Sequence, residues 1–381
     1  MSKPRILFLP LSNVLGHLTR TFSLVEEFLK HDADIHIACD TYYSKLIQAL
    51  PEGITVHKSI EMPVSSSRSF GAILSFDIGE THDVLNLESA NNLSSEELKM
   101  RGGYVKEMIE NDKQLISYLK PDLIVTDYRY TVTLLSEFPK NRIFHISNML
   151  GFLSFYHRTR NTLFSPLDTG NILVPGIPEI ELTDEKITIE NPNINRCGHF
   201  SWQGWKRLYK DTKSLEKVAI FLCFGSTGNG ATLVPWLAQN IDKHYEIRMV
   251  SDSDYQVKPQ KNVHHVKFGY LAECLTKSSI VCCHGGHGTV MECIIHKTPM
   301  LIFPNNIEQL EIGRQIEKLG LGILMDKPQE MLDANYLNAS IERLLANTEI
   351  KKNLTKYSQL LKQYNGASKA ASILLETMVN T

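Results

Sequence analysis

The sequence predicts an α/β protein built from two doubly wound parallel-sheet domains, and three observations carry that prediction. Short runs rich in Val, Ile and Phe recur along the chain, each followed by a longer stretch of helical periodicity. Such near-continuous apolar runs suit strands buried on both faces, and their alternation with helices implies βαβ units. The alternation stops near mid-chain and restarts at Val218, much as it began at Arg5. A length of 381 residues also suits two cores better than one.

Taken in order, the expected strands of the first half are 6–9, 35–38, 123–126 and 143–146. The stretch 166–199 carries Pro166, Pro175, Pro178 and Pro192 with Asn and Gly between them, and reads as a linker or substrate-facing loop. In the second half the expected strands are 218–224, 247–250, 263–266, 280–283 and 300–303. The join is placed near 200–215, giving an N-terminal domain over 1–205 and a C-terminal domain over 206–365. Two helical patterns fill 349–378, broken at Asn365-Gly366, a left-handed stop. The last helix, about 366–381, is expected to pack back on the N-terminal domain.

Bulk properties exclude several function classes. Lys and Arg total 40 against 42 Asp and Glu, a net charge of −2, so nucleic acid is not expected as a partner. Seven cysteines without metal-ligand spacing, with Cys282-Cys283 inside an apolar run, fit a reducing compartment. The apolar start Ile6-Leu7-Phe8-Leu9 is too short for a secretory signal, and no run approaches the ~18–20 residues that span a bilayer. A cytoplasmic protein is expected.

The most informative stretch runs Cys282-Cys283-His284-Gly285-Gly286-His287-Gly288-Thr289-Val290-Met291-Glu292. A strand is expected to end at Cys283 and a helix to start near Thr289. Glycines between them let a ligand approach the backbone and leave N–H groups at a helix N-terminus, a place suited to a diphosphate. His284 adds a side-chain donor. Thr289-x-x-Glu292 is also a capping box, which accounts for those two residues without any ligand.

In order and spacing these residues resemble the donor-binding signature of family-1 glycosyltransferases of the GT-B fold, the group of the UDP-glycosyltransferases and the peptidoglycan GlcNAc transferases. The signature continues in Pro304 and Glu308-Gln309, so the resemblance spans the second half of the chain. It implies two Rossmann-like domains facing a cleft. His284, Gly286, Gly288 and Thr289 would lie on the donor diphosphate, Glu292 on the ribose, and Glu308 with Gln309 on the sugar hydroxyls. A helix start capped by Asn306 explains Glu308-Gln309 equally well. Phe221-Leu222-Cys223-Phe224-Gly225-Ser226 looks like the first strand and loop of the same domain, with Gly225 and Ser226 toward the phosphate. Where many members carry Trp-x-x-Gln for the base, this chain has Phe268-Gly269-Tyr270-Leu271. Phe268 and Gly269 would then meet the base by stacking and backbone contacts, which leaves UDP, dTDP and GDP open.

In the first half, strand 6–9 leads into Ser12-Asn13-Val14-Leu15-Gly16-His17-Leu18-Thr19-Arg20, with a helix expected from Leu18 to Lys30. The resemblance makes His17 the general base and Asp127, at the end of strand 123–126, its orienting carboxylate. Both residue types fit an inverting displacement, since imidazole exchanges protons near neutrality and a buried carboxylate fixes its tautomer. As plain structure, His17 would start a helix and Asp127 would cap one. Arg20 replaces a frequent Pro, and the His-x-x-Arg form is similar to some bacterial sugar transferases and nucleotide-sugar hydrolases.

Asp252-Ser253-Asp254 resembles a metal clamp of another glycosyltransferase fold but reads as a solvated loop. No metal or other cofactor is expected. On the acceptor side, 144–156 with His145, and His157 beyond it, reads as either a pocket lining or core. Trp202, Trp205, Lys206 and Arg207 suit either hinge packing or peripheral contact with a membrane. The expected function is inverting, metal-independent transfer of a sugar from a nucleotide-diphosphate sugar, UDP or dTDP first, to a hydroxyl of a small natural product or lipid-like acceptor. The rivals are a nucleotide-sugar hydrolase or epimerase using His17, and a non-catalytic nucleotide-sugar-binding protein.

Overall fold

The structure is a computed structural model of the chain that describes residues 3–12, 14–40, 43–60, 95–127, 129, 138–148, 171–181, 194–208, 218–224, 230–250, 257–266, 271–305 and 307–379. It divides into two compact units, 1–204 with 364–381, and 205–363.

Among the described residues the first unit holds seven parallel strands: β1 (Arg5–Pro10), β2 (Asp34–Cys39), β3 (Ile54–Lys58), β4 (Leu123–Asp127), β5 (Ile143–Ile146), β6 (Ile172–Val174) and β7 (Ile194–Arg196). Their spatial order is β3-β2-β1-β4-β5-β6-β7. β1 and β4 are central, and Ile6, Leu7, Phe8, Leu9, Ile124 and Val125 are fully buried, so helices must cover both faces. On one face α1 (Leu15–Phe28) buries Leu18, Phe22 and Val25. The C-terminal helix packs on α1 through its fully buried Ala370, Ala371 and Leu374. Leu119, Ile116 and Ile109 of a long helix, Ser95–Leu119, join Leu7, Leu9, Ile124 and Ile143 in one cluster. A buried side chain of this size contributes about 1.5–3 kcal/mol.

Two strands lie inside the stretch that sequence reading takes as linker. β6 and β7 extend the first sheet, held by Ser147 N–H to Leu173 O (3.1 Å) and Cys197 N–H to Val174 O (2.9 Å). Each is three residues long, too short to show a period, and Pro175 follows β6 at once. Trp202 is buried here, its Nε1–H donating to Glu26 Oε1 at 2.7 Å and its ring edge-on to Phe22. That removes it from any membrane-facing surface and makes it part of the packing.

Among the described residues the second unit holds six parallel strands: β8 (Val218–Cys223), β9 (Ile247–Val250), β10 (Val263–Val266), β11 (Ser278–Cys283), β12 (Met300–Ile302) and β13 (Gly322–Leu324). They lie in the order β10-β9-β8-β11-β12-β13. Numbering the helices in chain order, the short Ser44–Ile47 is α2, Ser95–Leu119 is α3 and Trp205–Leu208 is α4. The second unit adds α5 (Gly230–Asn240), α6 (Leu271–Thr276), α7 (His287–His296), α8 (Ile307–Lys318), α9 (Pro328–Met331), α10 (Ala334–Ala346) and α11 (Thr348–Gln363). The chain then turns at Asn365 (φ 57°) and Gly366 (φ 50°) into α12 (Ala367–Val379) of the first unit. A Cβ on Gly366 would fall 2.0 Å from His199 O, so both the dihedral and the close approach require glycine. Among the described residues no helix is long and apolar enough to cross a membrane.

Candidate active site

A parallel sheet of this order reverses direction between β1 and β4, and ligands of such folds bind beyond the carboxyl ends of strands at that switch point. Pro10 and Asp127, the last residues of β1 and β4, are register partners there. Helix α1 begins at Leu15 rather than Leu18, with Val14 as an extended N-cap that offers no side-chain bond. His17 therefore lies inside the first helical turn. Arg20, three residues on, shares its face.

Both side chains converge on Asp127. His17 Nδ1 lies 2.8 Å from Asp127 Oδ1. Arg20 Nε–H donates to Oδ2 at 2.7 Å, and Arg20 Nη2–H donates to Oδ1. Arg20 Nη2 is also 2.9 Å from His17 Nδ1. Asp127 is fully buried, and the His17 side chain is 19 % exposed. Burial alone pushes the Asp127 carboxyl up, but the charge of Arg20 and the imidazole of His17 outweigh it and hold the group below its ordinary range. An ionised carboxylate only accepts hydrogen bonds. With the proton on Nδ1 the 2.8 Å contact is a hydrogen bond to Oδ1, Arg20 Nη2–H is a second donor onto the same oxygen, and the His17 lone pair lies on Nε2, the arrangement of a general base.

A second buried ion pair supports the exit of β4. Arg129 donates to both oxygens of Asp112 on α3 at 2.9 Å and to Ile60 O at 3.0 Å, while Thr126 Oγ1–H donates to Arg129 O. Burial raises the Asp112 carboxyl despite the opposing charge of Arg129. Removing one partner of such a pair strands a buried charge at about 3–5 kcal/mol. Sequence reading missed this pair and the role of Arg20. The signal for Arg20 was the His-x-x-Arg spacing itself, once the helix is started before His17; Arg129 and Asp112 are 17 residues apart and carry no local signature.

In the second unit the switch point falls between β8 and β11. β11 ends at Cys283, and His284-Gly285-Gly286 leads into α7 at His287. Gly285 has φ +86°, and a Cβ there would meet Ile302 Cγ2 at 2.8 Å and Gln309 O at 3.2 Å. The loop is thus wedged against β12 and α8. Gly286 is the N-cap and makes no side-chain bond, so Thr289 is not the start of a capping box but the third residue of the helix. By contrast, α10 is capped by Asp333, which accepts from Asn335 N–H (2.8 Å) and Tyr336 N–H (3.1 Å). His284 is buried over Gly286, and burial pushes its imidazole down to about 4, so it is neutral near pH 7 and donates from one nitrogen only. A Cβ on Gly288 would meet nothing within 4 Å.

Glu292, one turn into α7, lies 3.5 Å from His296. Glu308 is half-buried in the first turn of α8. Gln309 is buried, and its Oε1 accepts from Asn305 N–H at 2.8 Å. His287, a buried residue opening α7, belongs to the same turn and was not singled out by sequence. Gly225, Ser226, Phe268, Gly269, Asn306, His157 and Asp252-Ser253-Asp254 lie outside the described residues. His145 is fully buried in β5 beside Thr126, core rather than pocket lining, and is pushed down to about 3 by burial.

The erythromycin biosynthesis protein CIII-like C-terminal domain family matches residues 244–365. An uncharacterized glycosyltransferase of Methanosarcina mazei is 24 % identical over 372 residues, covering 88 % of this chain and 93 % of its own. Spinosyn rhamnosyltransferase SpnG, solved with thymidine diphosphate, aligns at a TM-score of 0.68 and 15 % identity over 97 % of this chain and 99 % of its own. Phytolacca americana UGT2, solved with UDP-2-fluoroglucose and pterostilbene, aligns at 0.70 and 13 % over 99 % and 100 %. Two parallel doubly wound units of this order define the fold of the chain as GT-B. With the matching C-terminal domain family and a glycosyltransferase relative over nearly its whole length, the chain is a glycosyltransferase. It is similar to the family-1 enzymes of that fold.

Proposed function

We propose that the chain transfers a sugar from a nucleotide-diphosphate sugar to a hydroxyl of a small natural product or lipid-like acceptor, with inversion and without a metal. The observation that carries this reading is the His17–Asp127 contact at the switch point of the first unit. His17 Nε2 takes the proton of the acceptor hydroxyl as its oxygen attacks the anomeric carbon. The bond from that carbon to the diphosphate breaks, and its electron pair leaves with the diphosphate. Attack from the face opposite the leaving group inverts the centre. General-base help of this kind is worth about 10²–10⁴ in rate.

On the donor side, the N–H groups of the first turn of α7, with no side-chain cap at Gly286, meet the growing charge of the leaving group. A helix terminus contributes about 0.3–2 kcal/mol, and neutral His284 and Thr289 add donors. Glu292 would accept from the ribose hydroxyls, and Glu308 with Gln309 would hold the sugar. The ligands of SpnG and UGT2 favour dTDP and UDP as carriers. A thermal-shift screen of UDP, dTDP and GDP and their sugars, with and without EDTA, tests the donor half. The expected result is a selective rise with one nucleotide that EDTA leaves intact. No rise with any nucleotide sinks the donor assignment, and a rise abolished by EDTA sinks metal independence.

A further inference from the structure

We propose that Arg20 is the positioning residue of the catalytic pair: its fork keeps Asp127 an acceptor and so pins the ring proton of His17 on Nδ1. The inference rests on the reading of His17 as base and goes beyond it in explaining why Asp127 can serve a fully buried site. A lone buried carboxylate tends to take up a proton. If Asp127 did so, it would donate to Nδ1, the ring proton of His17 would move to Nε2, and the base would be lost. Arg20 prevents this with two hydrogen bonds, one to each oxygen, in the planar geometry that guanidinium matches and ammonium does not.

Among the described residues, the charged or titratable groups facing Asp127 are Arg20 and His17, both from α1. Its register partners on β1 and β5 are Pro10 and Ile146, which carry no charge. Arg129, two residues further on, is bonded to Asp112 and to Ile60 O. Within this set, the ionisation of Asp127 against burial depends on α1 alone.

Side-chain ¹⁵N NMR of protein labelled at histidine reads the proton directly, with the His17 signals assigned from a His17→Gln control. The unliganded wild type should carry the proton on Nδ1. In Arg20→Met it should shift toward Nε2, and turnover at pH 7 should fall about 10–100-fold, part of the range expected for a base. The acid limb of the pH–rate profile should move to higher pH, because the buried Asp127 now ionises later. Arg20→Lys should restore little, whereas methylguanidine should restore turnover to Arg20→Ala. A wild-type proton on Nε2 overturns the proposal, even if the variants fail to fold. So does an Arg20→Met protein that keeps both the Nδ1 proton and the wild-type pH profile. A fully active His17→Ala enzyme would instead refute the base assignment, leaving the tautomer result to be read on its own.

Discussion

The two units share one strand order over six strands, to which the first adds β7, and they build their switch points in opposite ways. In the first, three ionisable side chains, His17, Arg20 and Asp127, are drawn together behind the end of β1, and the carboxylate is fully buried. In the second, the corresponding loop and first helical turn hold Gly285, Gly286 and Gly288 beside a neutral buried imidazole. The difference separates two kinds of chemistry. Moving a proton, as proposed for the first site, calls for a side chain whose partners set its tautomer, and that site is built of charge. Holding a diphosphate, as proposed for the second, calls for backbone N–H groups with room around them, and that site is built of glycines. The same strand order serves both because the switch point supplies only a place, and the residues of the turn supply the chemistry.

The comparison can be broken most sharply at the charged site. His17→Ala and Asp127→Asn should each cut turnover by about 10²–10⁴, measured as nucleotide release in the presence of acceptor. Nucleotide binding should be unchanged, and a fully active His17→Ala protein would end the base assignment. A smaller effect sharpens the glycine side. Gly288 sits in the first turn of α7 with open space where a Cβ would go. Gly288→Ala should therefore stabilise the protein by up to about 1 kcal/mol, a rise of about 2–4 °C in Tm, while weakening nucleotide binding by about tenfold or more. Gly285→Ala should do the reverse, losing about 1–3 kcal/mol to strain at φ +86° and to the contact with Ile302. If Gly288→Ala binds nucleotide as the wild type does, the open space is not the ligand's.

The strands that positioned both sites were readable because they are long and apolar on both faces. β1, β4, β8 and β11 each run five or six residues. The strands that escaped lie away from these centres: β6, β7 and β13 are three residues long, and β3 is half exposed. The site helices were misplaced by two or three residues at their starts, and for one reason. The sequence pattern places the starts near Thr289 and at Leu18, whereas both helices open earlier, behind Gly286 and Val14, which make no side-chain cap. The local pattern of an uncapped helix start is weak, and that weakness hid Arg20 in its working position. Asp127 and His17 were legible as a strand end and a turn residue; the third partner became visible only when helix phase put it on the same face.

The claim that base and donor chemistry reside in different units is tested most directly by titration calorimetry. The nucleoside diphosphate chosen by the thermal screen would be titrated into the His17→Ala and His284→Gln proteins. The account predicts wild-type affinity in His17→Ala and a loss of about tenfold or more in His284→Gln. Binding that is lost in His17→Ala and untouched in His284→Gln would contradict it.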